Sequence, residues 1–142
     1  MIRPYQFFDH TADVLYKANG KDYKEVFTNA GLALMETMVS LKTIEHKKSR
    51  KITLTEDSYE KLLFSFLEEL VFIKDVNTLL FNKFSITLTE KKDKYTLIAV
   101  CHGDKIKPSK QELKVDVKAI TLHEFYLKKT KDGYQAKVLV DI

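Results

Sequence analysis

Two segments with helical periodicity most constrain the fold of this chain, because each has an apolar face that another layer must cover. One segment runs from Asp22 to about Ser40, and the other follows Asp57. In each, an aspartate precedes a glutamate (Glu25 or Glu60) by three positions, a pattern typical of helix N-termini. The predicted apolar faces comprise Val26, Phe27, Ala30, Leu34 and Met38 in the first helix and Tyr59, Leu62, Leu63, Phe66, Leu67 and Leu70 in the second.

The segments outside the helices alternate apolar and polar residues, as half-buried strands do. The predicted strands are Tyr5–Phe8, Val14–Ala18, Lys51–Thr55, Phe84–Thr89, Tyr95–His102, Val115–Lys128 and Tyr134–Val140. We therefore predict a single domain spanning residues 1–142 with an α/β (α+β) fold. It should be a two-layer sandwich, in which both helices lie on one face of a mixed or mainly antiparallel sheet.

Length and composition agree with one compact domain. The chain has 142 residues, of which 44% are hydrophobic, enough to bury a core. It contains no run of about 20 apolar residues that would span a membrane, and its first residues lack the apolar core of a signal peptide. We therefore expect a cytoplasmic protein without membrane association. Cys101 is the only cysteine, so neither an intramolecular disulfide nor a multi-cysteine zinc site is available, and we expect it to be buried.

The net charge of +4 comes almost wholly from lysine, since Arg3 and Arg50 are the only arginines. Proteins that recognise nucleic acids usually rely on arginine forks and on aromatic residues set among basic ones. The basic runs, His46–Lys51 and Lys128–Lys131, are expected between the predicted elements. This pattern favours solvated loops over a surface that follows phosphates, although the second interpretation stays open.

Familiar enzyme motifs are missing from the sequence. Its four glycines form no phosphate-binding loop, no serine stands in a nucleophile elbow, and no pair of histidines has the zincin spacing. A self-sufficient nucleotide-binding enzyme is therefore not expected.

Acidic residues near the two ends of the chain give the main indication of a functional site. Asp13 follows the first predicted strand closely, and Asp141 lies beside Ile142 at the end of the last one. If the fold brings the aspartates together, their side chains and the α-carboxylate of Ile142 would converge. Carboxylates that lie so close together raise one another's pKa unless a cation neutralises them, so a divalent metal site is one interpretation. The other is that Asp9 or Asp13 caps a local turn.

Two histidines require separate interpretations. His10 lies three residues before Asp13, a spacing that suits metal ligation only if the chain turns between them. His123 shares strand parity with Phe125 and Leu127, so we expect it on or near the core-facing side as a hydrogen-bonded structural residue.

Four segments together resemble the archease family: Phe8-Asp9-His10-Thr11-Ala12-Asp13, Phe66–Leu70, Val117–His123 and Val138–Ile142. They match in order, and the resemblance extends over the whole chain. The resemblance implies a small cytosolic accessory protein without catalytic residues of its own. Its partner would be an RtcB-type tRNA ligase, which seals tRNA halves after intron removal and is guanylylated on a histidine. The family promotes this guanylylation and repeated turnover, so contact with tRNA would be indirect, through the ligase.

The resemblance also implies a divalent metal, usually calcium, at Asp13, Asp141 and Ile142. Oxygen ligands suit calcium or magnesium, whereas nearby His10 would admit zinc or manganese, so the identity of the metal stays open. Residues expected to support the site or contact the partner are Asp9, His10, Lys118 and His123.

The sequence departs from the family at three positions. Leu122 stands where the family often has tyrosine, and Lys74 and Gln111 stand where histidine is expected. These departures weaken any catalytic or contact role at those positions. Two other functions are weighed against the accessory role: a chaperone-like or RNA-binding module in RNA processing or modification, and a metal-dependent hydrolase acting alone.

Overall fold

The computed structural model describes residues 2–10 and 12–142, so Thr11 of the acidic motif lies outside the described residues. Within those ranges the chain forms seven strands, two α-helices and one short 3₁₀ turn. The strands are β1 (Tyr5–Phe8), β2 (Asp13–Gly20), β3 (Lys48–Glu56), β4 (Leu79–Lys91), β5 (Lys94–Lys105), β6 (Ala119–Thr130) and β7 (Gly133–Asp141). The helices are α1 (Tyr23–Met38) and α2 (Tyr59–Asn77), and the 3₁₀ turn is Leu41–Thr43.

All strand pairs are antiparallel, which confirms the predicted α+β class with a mainly antiparallel sheet. The strands divide into two sheets, one of order β1-β2-β7-β6 and one of order β3-β5-β4. Both helices pack across this division: α1 contacts β2 and β4, and α2 contacts β6 and β3. The helices therefore join the two sheets through one shared core.

The first helix begins as the sequence predicts. The Asp22 carboxylate accepts a hydrogen bond from the Glu25 N–H at 2.8 Å, and the Glu25 carboxylate accepts one from the Lys21 N–H at 3.1 Å. At the second helix the predicted cap is wrong by one residue. Ser58 is extended and accepts from the Lys61 N–H at 3.1 Å, whereas Asp57 pairs with the Lys61 ammonium instead.

All residues of the two predicted apolar faces are buried in the core except Tyr59, which is half-buried. Tyr16 of β2 is fully buried among them, and its hydroxyl donates to the Ala30 carbonyl at 3.0 Å. Cys101 is buried as predicted, and burial raises the pKa of its thiol to about 12. No helix in the described part of the chain is both long and apolar enough to cross a bilayer.

Several predicted boundaries differ from the structure; β4, for example, begins at Leu79 instead of Phe84. The basic runs do not lie between elements, because Lys48–Lys51 belongs to β3 and Lys128–Thr130 to β6. Strand β6 begins at Ala119 instead of Val115. The preceding segment pairs with the end of α1, where the Lys114 N–H donates to the Met38 carbonyl at 2.8 Å, so it is not free to extend β6.

Candidate metal site

Asp13 and Asp141 form the first pair of the ladder between β2 and β7. Residues directly opposite in an antiparallel pair point to the same face of the sheet, with Cβ atoms about 4.5–5.5 Å apart. Ile142 follows Asp141 immediately. The fold therefore places Asp13 opposite Asp141, with Ile142 next in the chain.

The end of β7 is held from its other side as well. Asp141 pairs with Ala119 of β6, and the Lys118 N–H donates to the Asp141 carbonyl at 2.8 Å. The main chain at Asp141 is thus fixed between two neighbouring strands. Lys118 contacts Asp141 through its backbone and also lines a separate groove beside Phe72 of α2.

The turn between β1 and β2 places His10 close to Asp13. The His10 Nδ1 atom lies 3.9 Å from the Asp13 carboxylate, and its Nε2 atom lies 3.3 Å from the Glu124 carboxylate. Asp9, His10 and Asp13 share the wall of an open cleft of about 430 Å³. The side chain of Asp13 is 24% exposed, so solvent reaches it.

Glu124 and Lys137 belong to the same group of charges, although the sequence analysis did not select them. The Lys137 ammonium donates to Glu124 at 2.8 Å, and this hydrogen bond lowers the pKa of the Glu124 carboxyl. Lys137 has the same strand parity as Asp141, so counting back from Asp141 places it on the same face. Glu124 gives no such indication, because its position depends on an irregularity in β6.

That irregularity also makes the prediction for His123 wrong. The pairing of β6 with β7 shifts between Thr121 and Tyr126, and Glu124 adopts a φ of 60°. Strand alternation from Leu127 therefore does not predict on which side of the sheet the His123 side chain lies. The His123 side chain is 76% exposed, and its Nε2 atom lies 3.6 Å from Glu124 instead of near the core.

The donor chemistry at this strand end fits a hard divalent cation. In residues 2–10 and 12–142, no three His, Cys, Asp or Glu side chains converge closely enough to hold a metal by themselves. Asp13 and Asp141 supply two carboxylates, and Ile142 follows in the chain. Calcium takes six to eight oxygens and accepts waters among them, so the two carboxylates supply part of such a ligand set. Both ring nitrogens of His10 face carboxylates, which suits a supporting role.

The residues at the three positions that depart from the family pattern have different surroundings. Lys74 is 5% exposed, and its ammonium lies 2.6 Å from both Asp75 and Asp116. Gln111 is buried and bonds to the backbone of Lys105 and Lys107. Leu122 is 75% exposed in the irregular part of β6.

Comparison with known proteins gives a consistent result. The model of the Archease protein family matches residues 5–142. The protein archease of Methanosarcina acetivorans is 33% identical over 141 residues, covering 99% of this chain and 97% of that protein. The protein archease of Pyrococcus furiosus is 35% identical over 142 residues, covering 99% of this chain and 100% of that protein.

Two solved structures share the fold. The solution structure of Methanobacterium thermoautotrophicum protein 1598 superposes with a TM-score of 0.88 at 35% identity, covering 98% of this chain and 99% of that one. The crystal structure of a Thermotoga maritima protein, described as an archease and possible chaperone, superposes with a TM-score of 0.62. It is 19% identical, covering 100% of this chain and 98% of that one, so this likeness concerns the fold alone.

Proposed function

The chain belongs to the archease family, and from that premise we propose that it is a non-catalytic accessory factor of an RtcB-type tRNA ligase. It promotes guanylylation of the ligase and its multiple turnover in tRNA splicing. It acts in the cytoplasm, and in this accessory role it reaches tRNA indirectly, through the ligase. The covalent chemistry belongs to the ligase, whose own histidine takes the guanylate.

The observation that carries this proposal is the direct opposition of Asp13 and Asp141 beside Ile142. Like charges placed directly opposite on a ladder destabilise the pair. A cation bound between the two carboxylates attracts both and offsets their repulsion, so the arrangement suits a cation-binding site. We propose that Asp13, Asp141 and the α-carboxylate of Ile142 hold a divalent cation, with calcium first and magnesium, manganese or zinc as alternatives.

Neighbouring residues hold the two aspartates in position. The Lys118 N–H and β6 fix the main chain of Asp141, while His10 lies between the carboxylates of Asp13 and Glu124. When bound, the cation supplies positive charge that offsets negative charge on a transferring phosphoryl group. The strand end is exposed, so it can approach the active site of a larger partner.

The experiment measures guanylylation and multiple-turnover RNA joining by a cognate ligase with catalytic amounts of this protein, with and without divalent metal. We expect a metal-dependent acceleration that Asp13→Asn and Asp141→Asn each abolish. The matched control is Glu112→Gln, which removes one negative charge from an exposed loop. No acceleration of an active ligase, or full acceleration by both aspartate variants, would refute the proposal.

A second form of the same experiment tests Ile142. Adding one glycine after Ile142 moves the α-carboxylate away from the aspartates while leaving every side chain in place. We expect the extended protein to accelerate the ligase less than the parent does. Equal acceleration would remove Ile142 from the site and leave the two aspartates as its protein ligands.

The same preparation distinguishes the other candidate functions. A chaperone-like module would keep the ligase soluble without needing Asp141, whereas a hydrolase would release product from RNA or nucleotide with no ligase present. We expect neither result from purified protein, because the proposed role requires both the ligase and the aspartate pair.

A further inference from the structure

The outer face of the three-stranded sheet is open to solvent and rich in hydroxyl groups. Strand registers place its side chains in four rows across β3, β5 and β4, while α1 and α2 cover the opposite face. We call this surface the hydroxyl face. Its rows are Ser49–His102–Lys83, Lys51–Val100–Ser85, Thr53–Ile98–Thr87 and Thr55–Thr96–Thr89, and the paired Lys94 and Lys91 follow at the hairpin end.

The hydroxyl face carries no exposed carboxylate, although these fully described strands contain three acidic residues. Strand alternation places the side chains of Glu56 and Glu90 on the opposite face, which the helices cover. Asp104 has the parity of the hydroxyl face but is 1% exposed, beyond the last of the four rows. Its charge is also balanced, because the Lys107 ammonium lies 2.9 Å from its carboxylate.

Positive charge stands at both ends of this face. Lys51 and Lys83 lie in the first two rows, and Lys91 and Lys94 lie at the hairpin. All four side chains are exposed, and none has a carboxylate within 4.0 Å in the part of the chain that the structure describes. From Lys83 to Lys91 the face is roughly 27 Å long. It therefore offers separated cations with hydroxyl donors between them.

From this arrangement we propose that the hydroxyl face binds the sugar–phosphate backbone of single-stranded RNA without sequence preference. Lysine ammonium and serine or threonine hydroxyl groups are the usual donors to phosphate oxygens. Apart from the His102 imidazole in the first row, the four rows contain no aromatic side chain, so stacking of bases contributes little. Affinity therefore comes from phosphate contacts and depends strongly on salt.

An acidic protein surface fits this face less well. Stable protein interfaces have aromatic or large apolar anchors at their centre. Here the central strand offers only Ile98, which is 36% exposed, and the half-buried Val100. Extended length, separated charges and a hydroxyl centre suit a polyanionic chain better than a folded partner.

This binding lies on a different sheet from Asp13 and Asp141, so it goes beyond the proposed function and does not depend on it. The test uses the isolated protein, with no ligase and with chelator present. Its failure would leave the accessory role untouched, and failure of the ligase assay would leave this inference untouched.

The experiment measures fluorescence anisotropy of a labelled oligouridylate of about 15 nucleotides over a range of salt concentrations. If four lysines contact phosphates, log K should fall against log salt with a slope of about −3. The double variant Lys51→Glu/Lys83→Glu should weaken binding about tenfold at low salt and reduce the slope to about −1.4. A labelled oligocytidylate should give the same values, since no base is recognised.

A charge-matched control separates this face from general attraction. Lys24→Glu/Lys129→Glu makes the same change in net charge at exposed positions of α1 and β6, away from the hydroxyl face. We expect it to weaken binding less than threefold. The pair Lys91→Glu/Lys94→Glu should repeat the full loss, which keeps the test decisive if the first double variant folds poorly by circular dichroism.

Three results would overturn the inference. One is the absence of RNA binding at low salt, and another is an equal loss in the control and face variants. The third is self-association of the parent protein in sedimentation that Lys51→Glu/Lys83→Glu abolishes, because the face would then be an interface between copies of this chain.

Discussion

Asp13 and Asp141 face each other across the ladder between β2 and β7, although 127 positions separate them in the chain. The pair stands at the end of the ladder, and Asp141 is also held by the backbone of Lys118. Repulsion between these two like charges lowers the stability of the folded protein. A cation that binds both carboxylates removes that repulsion, so metal binding and stability are coupled at this point.

This coupling predicts opposite effects of Asp141→Asn with and without metal. In chelator at pH 7 and low salt, the substitution removes repulsion from Asp13, so the free energy of unfolding should rise by about 0.2–1 kcal/mol. In calcium, the parent protein gains binding energy that the variant lacks, and the order of stability should reverse. Urea denaturation in both buffers measures the two values.

The control for that experiment is Glu112→Gln, a loop substitution that removes one charge with no carboxylate opposite. Its stability should follow that of the parent in both buffers. If Asp141→Asn is the less stable protein in chelator, the aspartates do not repel one another as the register implies.

Leu67 of α2 provides a test of the core independent of the site. It is 0% exposed, so Leu67→Ala should leave a cavity and lower the free energy of unfolding by about 2–5 kcal/mol. Phe72→Ala on the same helix is the matched control, because Phe72 is 55% exposed and its truncation should cost much less. Equal losses in urea denaturation would contradict the assigned orientation of α2.

Asp104 predicts how stability depends on acid. The hydrogen bond from Lys107 holds the pKa of the Asp104 carboxyl below its ordinary value of 3.8. A group with a lowered folded-state pKa binds fewer protons when folded, so it stabilises the protein above its ordinary pKa and loses that effect as pH falls through the folded value. Asp104→Asn should therefore be less stable than the parent at pH 7, and the difference should shrink below pH 3.8.

Urea denaturation at several pH values measures this difference. Asp93→Asn in the exposed turn between β4 and β5 serves as the control, and it should show no comparable change. A difference between Asp104→Asn and the parent that persists unchanged in acid would show that the ion pair with Lys107 contributes nothing.

The sequence was sufficient to predict the helices and to select the two aspartates, for definite physical reasons. Periodicity of 3.6 residues identifies the buried face of each helix, and Asp22 with Glu25 identifies the start of the first. Asp13 and Asp141 lie at strand ends, where pairing of β2 with β7 in the predicted sheet would juxtapose them. The metal itself remains a prediction.

The division into two sheets could not be predicted, because it depends on how the helices pack across β2, β4, β6 and β3. Glu124 could not be identified from the sequence for a related reason. Alternation assumes an unbroken ladder, and the shift between Thr121 and Tyr126 moves His123 to solvent while bringing Glu124 beside His10. A register shift depends on the partner strand as well as on local sequence.

Calorimetric titration of calcium into the purified, metal-free protein measures binding at the opposed aspartates. We expect saturable binding of about one ion per chain, lost in both Asp13→Asn and Asp141→Asn and retained in Glu112→Gln. Titration with magnesium, manganese and zinc then ranks the alternatives. Binding of calcium that is unchanged in the two aspartate variants, or no binding of any of these cations, would contradict the claim that the opposed aspartates form a metal site.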